Sequence, residues 1–238
     1  VIEDAACGFG TKYNNQHVGT FGETGCFSFH PRKSISTGEG GMITTNSDGL
    51  AKKLRVLRDH GASVSDLQRH HGNKPFLLSD HILPGFNQRM TDIQASLGFE
   101  QMKRAESIIK ERKEIAEFYN YEFSKIDFLR LPIIPKNYFH AYQSYPCIFE
   151  PEQINLDNLE NVHKKRNDFM EKLQRKGIST RPATHAVHML SYYKQKYNHK
   201  PSDFPNSLIA NDCSISFPLY NSLKKSEQKY VINSIKNI

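Results

Sequence analysis

The sequence has few cysteines and no long apolar segment, and these gaps exclude several classes of protein. Its four cysteines, Cys7, Cys26, Cys147 and Cys213, form no CxxC pair, which argues against a zinc site. No run of residues has the length and apolar character of a signal peptide or a membrane span. We therefore expect a reduced, cytoplasmic protein that has neither a metal nor a membrane partner.

Apolar side chains are also scarce. They make up 37% of the 238 residues and the mean hydropathy is −0.62, which is polar for a globular protein. The apolar runs that do occur argue against general disorder. The chain opens directly on "VIEDAA", a strand pattern with nothing before it to pair with. We therefore expect a longer protein, in which other residues or a partner cover part of the apolar surface.

The charge is unbalanced, with a formal net charge of +7 and a pI near 9.1. Such a balance suits nucleic acid, anionic lipid or a phosphorylated ligand. The lysines are scattered, however, and dense groups such as "HKKR" at residues 163–166 lie at predicted helix ends or turns. This pattern favours a solvated basic surface and no nucleic-acid partner.

Turn residues and hydrophobic spacing give the first part of the chain its elements. Strands are predicted at Val1–Ala6, which we expect to be buried, at Cys26–His30 and at Gly41–Thr45. Ser47 and its neighbours cap a helix. Residues 62–85 resemble a long surface loop. Thr91 caps a long helix to about residue 126, in which Gly98 marks a kink or a close contact.

The later part of the chain has an α+β pattern. We predict a strand at Tyr142–Glu150, an amphipathic helix from Leu159 that Gly177 ends, and a closing helix capped by Ser226. The boundary between the two parts falls in the C-terminal half of the long helix, so we expect domains at residues 1–120 and 121–238.

Lys33 is the residue on which a functional interpretation depends. It follows a predicted strand and Pro31, and three glycines, Gly38, Gly40 and Gly41, let the chain turn back after it. A lysine in such a loop is most often a solvated surface residue. If it is partly buried, its pKa falls and the amine becomes a nucleophile, as Schiff-base chemistry requires.

Two further side chains favour the second interpretation. Ser28 precedes Lys33 by five residues, and Asp4 lies in a strand that we expect beside that of Ser28. An amine, a hydroxyl and a carboxylate together fit pyridoxal phosphate: the amine bonds to its aldehyde, the hydroxyl binds its phosphate and the carboxylate keeps its pyridine nitrogen protonated. The spacing alone leaves a surface lysine and a turn-forming aspartate as alternatives.

Four ordered motifs add a family resemblance. "VIEDAA", "GTFGETGCFSFHPRKSISTGEGGMITTN", "LRDHG" and "GFNQRMTDIQASLGFEQM" closely resemble the DegT/DnrJ/StrS family of pyridoxal-phosphate-dependent nucleotide-sugar aminotransferases. The resemblance is almost unbroken to residue 104 and continues more weakly through "SYYKQKY" and "SISFPLY". It implies an α/β protein of fold type I, like aspartate aminotransferase. Residues 1–120 would be the later part of the large domain, with roughly 100–150 residues before them, and residues 121–238 the small α+β domain.

The resemblance also implies roles in cofactor binding. Lys33 would bond covalently to the cofactor, Asp4 would pair with its pyridine nitrogen and Ser28 would bind its phosphate. Asn87 of "GFNQRM" would reach the phosphate of the neighbouring subunit, which implies a homodimer with two shared active sites. Cys7 departs from the family, in which Gln or His often stands beside the cofactor ring, and cysteine is a poor hydrogen-bond donor.

Substrate contacts are implied less completely. His188 matches the family's histidine near the substrate. A second familiar histidine would fall near Ala183, so its role is absent or moved, with His185 as a candidate substitute. The implied reaction is amino transfer from L-glutamate to a keto group of a nucleotide-linked deoxysugar, because relatives that catalyse dehydration have histidine in place of the lysine. Alternatives are an enzyme acting on another keto substrate such as a cyclitol precursor, a non-catalytic fragment, and a DNA-binding regulator, for which no helix-turn-helix pattern is present.

Overall fold

The computed structural model describes residues 1–64, 71–72, 76 and 78–238, so parts of the predicted loop at residues 62–85 lie outside the described residues. Its strands are β1 (Ile2–Asp4), β2 (Lys12–Tyr13), β3 (Gln16–His17), β4 (Thr24–Ser28), β5 (Gly41–Thr44), β6 (Leu129–Arg130), β7 (Tyr138–Phe139), β8 (Tyr145–Phe149) and β9 (Ser214–Phe217). Its helices are α1 (Asp48–Leu57), α2 (Asp92–Met102), α3 (Ala105–Phe123), α4 (Leu159–Arg175), α5 (Ser191–Tyr197), α6 (Pro205–Cys213) and α7 (Lys225–Lys236).

Two compact units are present, residues 1–106 with 137–139 and residues 107–136 with 140–238. In the first unit β1 pairs parallel with β4, and β4 pairs antiparallel with β5. The predicted return of the chain beside β4 is therefore confirmed, and Gly38 has a φ of +79° in the connecting loop, where a side chain would be strained. A second small sheet has the order β3-β2-β7.

The prediction that the strand at Val1–Ala6 is buried was wrong, because the strand is largely exposed. The strand is only Ile2–Asp4, and 74% of Ile2 is exposed. β1 lies at the edge of its sheet, where the order β1-β4-β5 gives it one neighbouring strand. An edge strand keeps one side of its backbone unpaired, and apolar spacing alone does not distinguish it from a central strand.

The predicted long helix after Thr91 is two helices. Thr91 is the N-cap of α2 in a capping box with Gln94. The chain leaves the helical path at residues 103–104 rather than at Gly98. Gly98 has the other expected role, close contact, because a side chain on it would meet Thr37 Cγ2 at 2.9 Å.

The second unit has the larger core. Its antiparallel sheet has the order β6-β8-β9, and three fully buried rings lie at its centre, those of Tyr119, Phe123 and Tyr145. The hydroxyl of Tyr119 donates to Pro218 O at 3.0 Å and that of Tyr145 to Asn120 Oδ1 at 2.6 Å. Burial raises the pKa of both tyrosines. Both of these tyrosine hydroxyls therefore have a hydrogen-bond partner, as a stable core requires.

Two smaller expectations for this unit have mixed outcomes. The amphipathic helix α4 ends close to Gly177, as predicted, and Gly177 has a φ of +75°. The closing helix α7 begins two residues earlier than expected, so Lys224, not Ser226, is its N-cap. No helix in the described part of the chain is both long and apolar enough to cross a membrane.

Candidate active site

The predicted site residues of the first unit lie at one edge of its sheet. The register pairs Asp4 of β1 with Cys26 of β4, and Ser28 ends β4 two residues later. Because the two strands are parallel, their carboxyl ends face the same edge. Asp4 Oδ1 accepts a hydrogen bond from the backbone N–H of Ala6 at 3.1 Å, which fixes the carboxylate at the start of the loop that follows β1.

Lys33 reaches the same loop. A turn after β4, closed by the hydrogen bond from Lys33 N to His30 O at 2.9 Å, brings its side chain back toward β1. Its Nζ donates to Cys7 Sγ at 2.9 Å, and Lys33 is half-buried. The lysine is therefore held against the segment that carries Asp4 and is not a freely solvated surface residue.

Ser28 is half-buried and its Oγ accepts from the backbone N–H of His30 at 3.3 Å. Its hydroxyl proton remains available for an acceptor such as a phosphate oxygen. The structure thus brings Asp4, Ser28 and Lys33 to one edge, and adds Cys7 to them.

The glycine-rich loop after Lys33 is anchored from both sides. Thr37 N donates to Phe29 O at 2.9 Å and Phe29 N donates to Gly40 O at 2.8 Å. The backbone carbonyl of Glu39 accepts from Thr37 Oγ1 at 2.8 Å and from Gln94 Nε2 of α2 at 2.9 Å. Glu39 thus contributes through its main chain, and its carboxylate is 77% exposed.

Asn87 lies where two of the quoted motifs pack on each other. Phe86 N donates to Leu57 O at 2.9 Å and His60 N donates to Phe86 O at 3.0 Å, and Asn87 forms a bridge with Asp59. The carboxylate of Asp59 also forms an ion pair with Arg89. "LRDHG" therefore holds "GFNQRM" in place, and Asn87 is left exposed at the surface.

The two predicted substrate residues belong to the second unit. His185 is exposed, whereas only 6% of His188 is exposed. Among the described residues, no hydrogen-bond partner meets the buried Nε2 of His188. Ala183, at the position of the family's other histidine, contributes its backbone N–H to Ser214 Oγ at 3.0 Å.

Sequence reasoning missed the aromatic surroundings of His188. A cavity of about 320 Å³ lies there, lined by Val187, His188, Tyr193, Tyr197, His199, Phe204 and Ser207. The available signal was the density of aromatic residues around "SYYKQKY". The described residues also contain no group of three or more His, Cys, Asp or Glu side chains that could hold a metal ion.

A carboxylate and a hydroxyl lie at the ends of adjoining strands, and an amine lies in the loop that follows the second strand. They are the groups that a pyridoxal-phosphate enzyme needs, and the donor set of this edge fits that cofactor. The family model for DegT/DnrJ/EryC1/StrS aminotransferases matches residues 1–236. The chain belongs to this family, and the sequence-based prediction of the family is confirmed.

Three relatives illustrate the match. An uncharacterized protein of Methanocaldococcus jannaschii, MJ1066, is 37% identical over the whole chain, and the spore coat polysaccharide biosynthesis protein SpsC of Bacillus subtilis is 32% identical, also over the whole chain. The chain spans 59% of each of these proteins. The PMP-form of the putative sugar aminotransferase Spr1654 from Streptococcus pneumoniae superposes with a TM-score of 0.86 over 99% of this chain and 58% of that one, at 23% identity. Its PLP-form also matches, and the predicted type I fold is confirmed.

Proposed function

We propose that the protein is a pyridoxal-phosphate-dependent aminotransferase that moves an amino group from L-glutamate to a keto group of a nucleotide-linked deoxysugar. The observation that carries this proposal is the Lys33 amine, held 2.9 Å from Cys7 Sγ in the loop that follows the strand of Asp4. The names of SpsC and Spr1654 support synthesis of a polysaccharide and a sugar substrate.

The four predicted site residues of the first unit each have a task in this proposal. When bound, the cofactor supplies an electron sink for the carbon that gains or loses the amino group. Lys33 would hold it covalently, Asp4 would keep its pyridine nitrogen protonated and Ser28 would donate to its phosphate. Asn87 would donate to the phosphate held by the partner subunit of a homodimer, for which its exposed position leaves it accessible.

Lys33 Nζ would also move the proton. As a free amine it would take the proton from the amino-bearing carbon of the donor as a general base, and would deliver it as a general acid to a different carbon, on the cofactor. Cys7 Sγ accepts a hydrogen bond from this Nζ, so it would hold the amine beside the loop that follows β1. In the second unit His188 and His185 would contact the substrate, and we retain the functional division at residue 120 as part of the proposal.

The test uses the full-length protein loaded with pyridoxal phosphate. It should show a visible absorption band from the lysine-bonded cofactor, and L-glutamate should convert that band. Lys33→Ala should abolish both signals, because it removes the only atom that forms the bond. Lys52→Ala, which removes an exposed lysine of α1, is the matched control and should leave both unchanged. A Lys33→Ala protein that keeps the band and its conversion would refute the assignment.

The acceptor is identified separately. After glutamate has converted the cofactor, a panel of 3-keto and 4-keto nucleotide sugars is added, and the true substrate class should restore the original band. Restoration by a keto-cyclitol, and by none of the sugar nucleotides, would favour the alternative substrate class.

A further inference from the structure

Cys7 and Lys33 form a thiol–amine pair in the first unit. Lys33 Nζ lies 2.9 Å from Cys7 Sγ, although the two residues are 26 positions apart in the chain. Holding a lysine does not require sulfur, because an oxygen atom is the stronger hydrogen-bond acceptor. What sulfur adds is reactivity, since a peroxide oxidises a thiol to a sulfenic acid, which a nucleophile can then attack.

The backbone around Cys7 is fixed by hydrogen bonds of its own. Ala6 N donates to Asp4 Oδ1 at 3.1 Å, and Gly8 N donates to Ala5 O at 2.8 Å, so Cys7 lies in a closed turn. Ala5 is 4% exposed and anchors this turn in the unit. The position from which the sulfur extends is therefore set before any contact with Lys33.

The backbone around Lys33 is fixed independently of Cys7. Lys33 N donates to His30 O at 2.9 Å, and the buried side chains of Ile35 and Thr37 anchor the residues that follow. The amine and the sulfur are thus brought into contact by the fold, and no flexible loop has to close when they react. Two groups held in contact react as one molecule, which greatly favours bond formation between them.

Cys7 is also the cysteine that an oxidant in solvent reaches most easily. It is exposed, whereas Cys26 is half-buried and Cys147 and Cys213 are buried. Burial raises the pKa of both buried thiols, that of Cys213 to about 11. The thiolate is the form that reacts with peroxides, so these two cysteines should react slowly. Oxidation is therefore expected first at the sulfur that already contacts Lys33.

We propose that Cys7 and Lys33 form a reversible covalent link, a sulfenamide, when a hydroperoxide oxidises Cys7. With hydrogen peroxide, the Cys7 thiol becomes a sulfenic acid and the oxidant is reduced to water. The neutral Lys33 amine then attacks the sulfur, so that an S–N bond forms and the S–O bond breaks. The departing hydroxyl leaves as water with one amine proton. In total the pair loses two hydrogen atoms, whose electrons reduce the O–O bond.

A thiol reverses the link. One thiol attacks the Cys7 sulfur and breaks the S–N bond, which returns a proton to the Lys33 amine and leaves a mixed disulfide on Cys7. A second thiol then releases Cys7 as a free thiol and forms a disulfide with the first.

This inference rests on the proposed function, in which Lys33 bonds to the cofactor. The S–N bond occupies Lys33 Nζ, so a linked protein cannot bond to pyridoxal phosphate. Bound cofactor occupies the same nitrogen and should protect it from linking. The pair would therefore control whether the cofactor can be loaded, according to the balance of peroxides and thiols.

The test uses the full-length protein from which the cofactor has been removed. Brief treatment with hydrogen peroxide should lower its intact mass by two hydrogen atoms, and dithiothreitol should restore the mass. Trypsin does not cleave after a modified lysine, so digestion should yield residues 33–52 joined to the peptide that ends at Lys12. Added pyridoxal phosphate should give an absorption band that is reduced in proportion to the linked fraction and returns after dithiothreitol treatment.

Variants separate this link from a disulfide between Cys7 and Cys26, which would also remove two hydrogen atoms. Cys7→Ser should abolish the link, and Lys33→Met should leave Cys7 with added oxygen in its place. Cys26→Ser is the matched control and should keep the link, because it removes a half-buried thiol outside the pair. Circular dichroism of each variant establishes that it is folded.

Oxygen added to Cys7 without a link in the wild type, or no oxidation of Cys7, would overturn the inference. Equal linking in the cofactor-loaded protein would also overturn it, because the bound cofactor should occupy the amine. The two proposals can fail separately. If the link forms but glutamate never converts the cofactor band, the proposed function fails and this inference stands. If glutamate converts the band but peroxide forms no link, only this inference fails.

Discussion

Glu3 gives the sharpest test of how β1 is held in the first unit. Its half-buried carboxylate accepts three backbone N–H groups, from Gly19 at 2.6 Å, from Phe21 at 2.5 Å and from Gly22 at 2.7 Å. These bonds tie the loop at residues 19–22 to the strand that carries Asp4. The loop passes close to the sheet, since a side chain on Gly22 would meet Val1 O at 2.6 Å.

Glu3→Gln should loosen this loop by an amount that the geometry sets. Oε1 accepts from Phe21 and Gly22, and an amide oxygen could keep both bonds. Oε2 accepts from Gly19, and an amide nitrogen there would face another donor. One charge-assisted bond is therefore lost and replaced by a donor–donor contact. Because water can partly reach the site, we expect a local cost of about 1–2 kcal/mol, which is about a five- to thirtyfold rise in opening.

The effect should depend on pH with a definite sign. Partial burial raises the pKa of Glu3, but the hydrogen bonds from Gly22, Gly19 and Phe21 bring it below its ordinary value. The stabilisation is therefore fully present above the ordinary carboxyl pKa and is lost as pH falls through the lowered pKa of the folded state. The difference between wild type and Glu3→Gln should be full at pH 7 and should fade in acid.

Amide hydrogen exchange of the peptide covering residues 15–25 measures this opening directly. Glu100→Gln is the control, because that side chain is 66% exposed and its ion pair with Lys103 contributes little. Unchanged exchange in Glu3→Gln at pH 7, or a difference that persists where the carboxyl is protonated, would refute the reasoning.

Two further predictions concern packing. Arg112→Met should lower the free energy of unfolding of the second unit by about 2–4 kcal/mol, as measured by urea unfolding. The reason is that buried Arg112 donates to carbonyls that include Tyr142 O at 2.9 Å, and these would lose their partner. A loss below about 0.5 kcal/mol would contradict this prediction. Gly61→Ala should raise hydrogen exchange at residues 57–61 and 83–88, because a side chain there would overlap Leu83 O and φ is +76°. Gly49→Ala, whose nearest contact is at 3.9 Å, is the control, and equal behaviour of the two variants would contradict the prediction.

Local rules predicted those elements whose signals lie in neighbouring residues. Ser47 caps α1, Thr91 caps α2 and Gly177 follows α4, because caps and stops depend on the few residues around them. The break at residues 103–104 carries no glycine or proline, so no local rule marks it. Ile2 was misjudged for the same reason, because burial depends on how many strands flank β1.

In the candidate site, too, some features could be predicted from the sequence and others depend on the folded structure. Asp4, Ser28 and Lys33 could be predicted as site residues from residue type and motif resemblance. Both depend only on which side chain stands at which position in the sequence. The contact of Lys33 with Cys7 joins residues 26 positions apart and depends on the turn after β4. Sequence does not show which atoms lack a partner, so the Nε2 of His188, unpaired among the described residues, could not be found from it.

Contacts that do not involve the side chain of Lys33 hold the loop around it in place. The effect of replacing that side chain can therefore be interpreted. Ile35 is 1% exposed and Thr37 is 3% exposed, so two side chains just after Lys33 anchor the loop. The backbone of Lys33 is held by His30 O, independently of its side chain. Lys33→Ala removes the hydrogen bond to Cys7 and leaves these anchors in place. A lost absorption band in that variant would therefore report the missing amine, not a collapsed loop, and the same scaffold is what would return a mobile lysine to one position after each proton transfer.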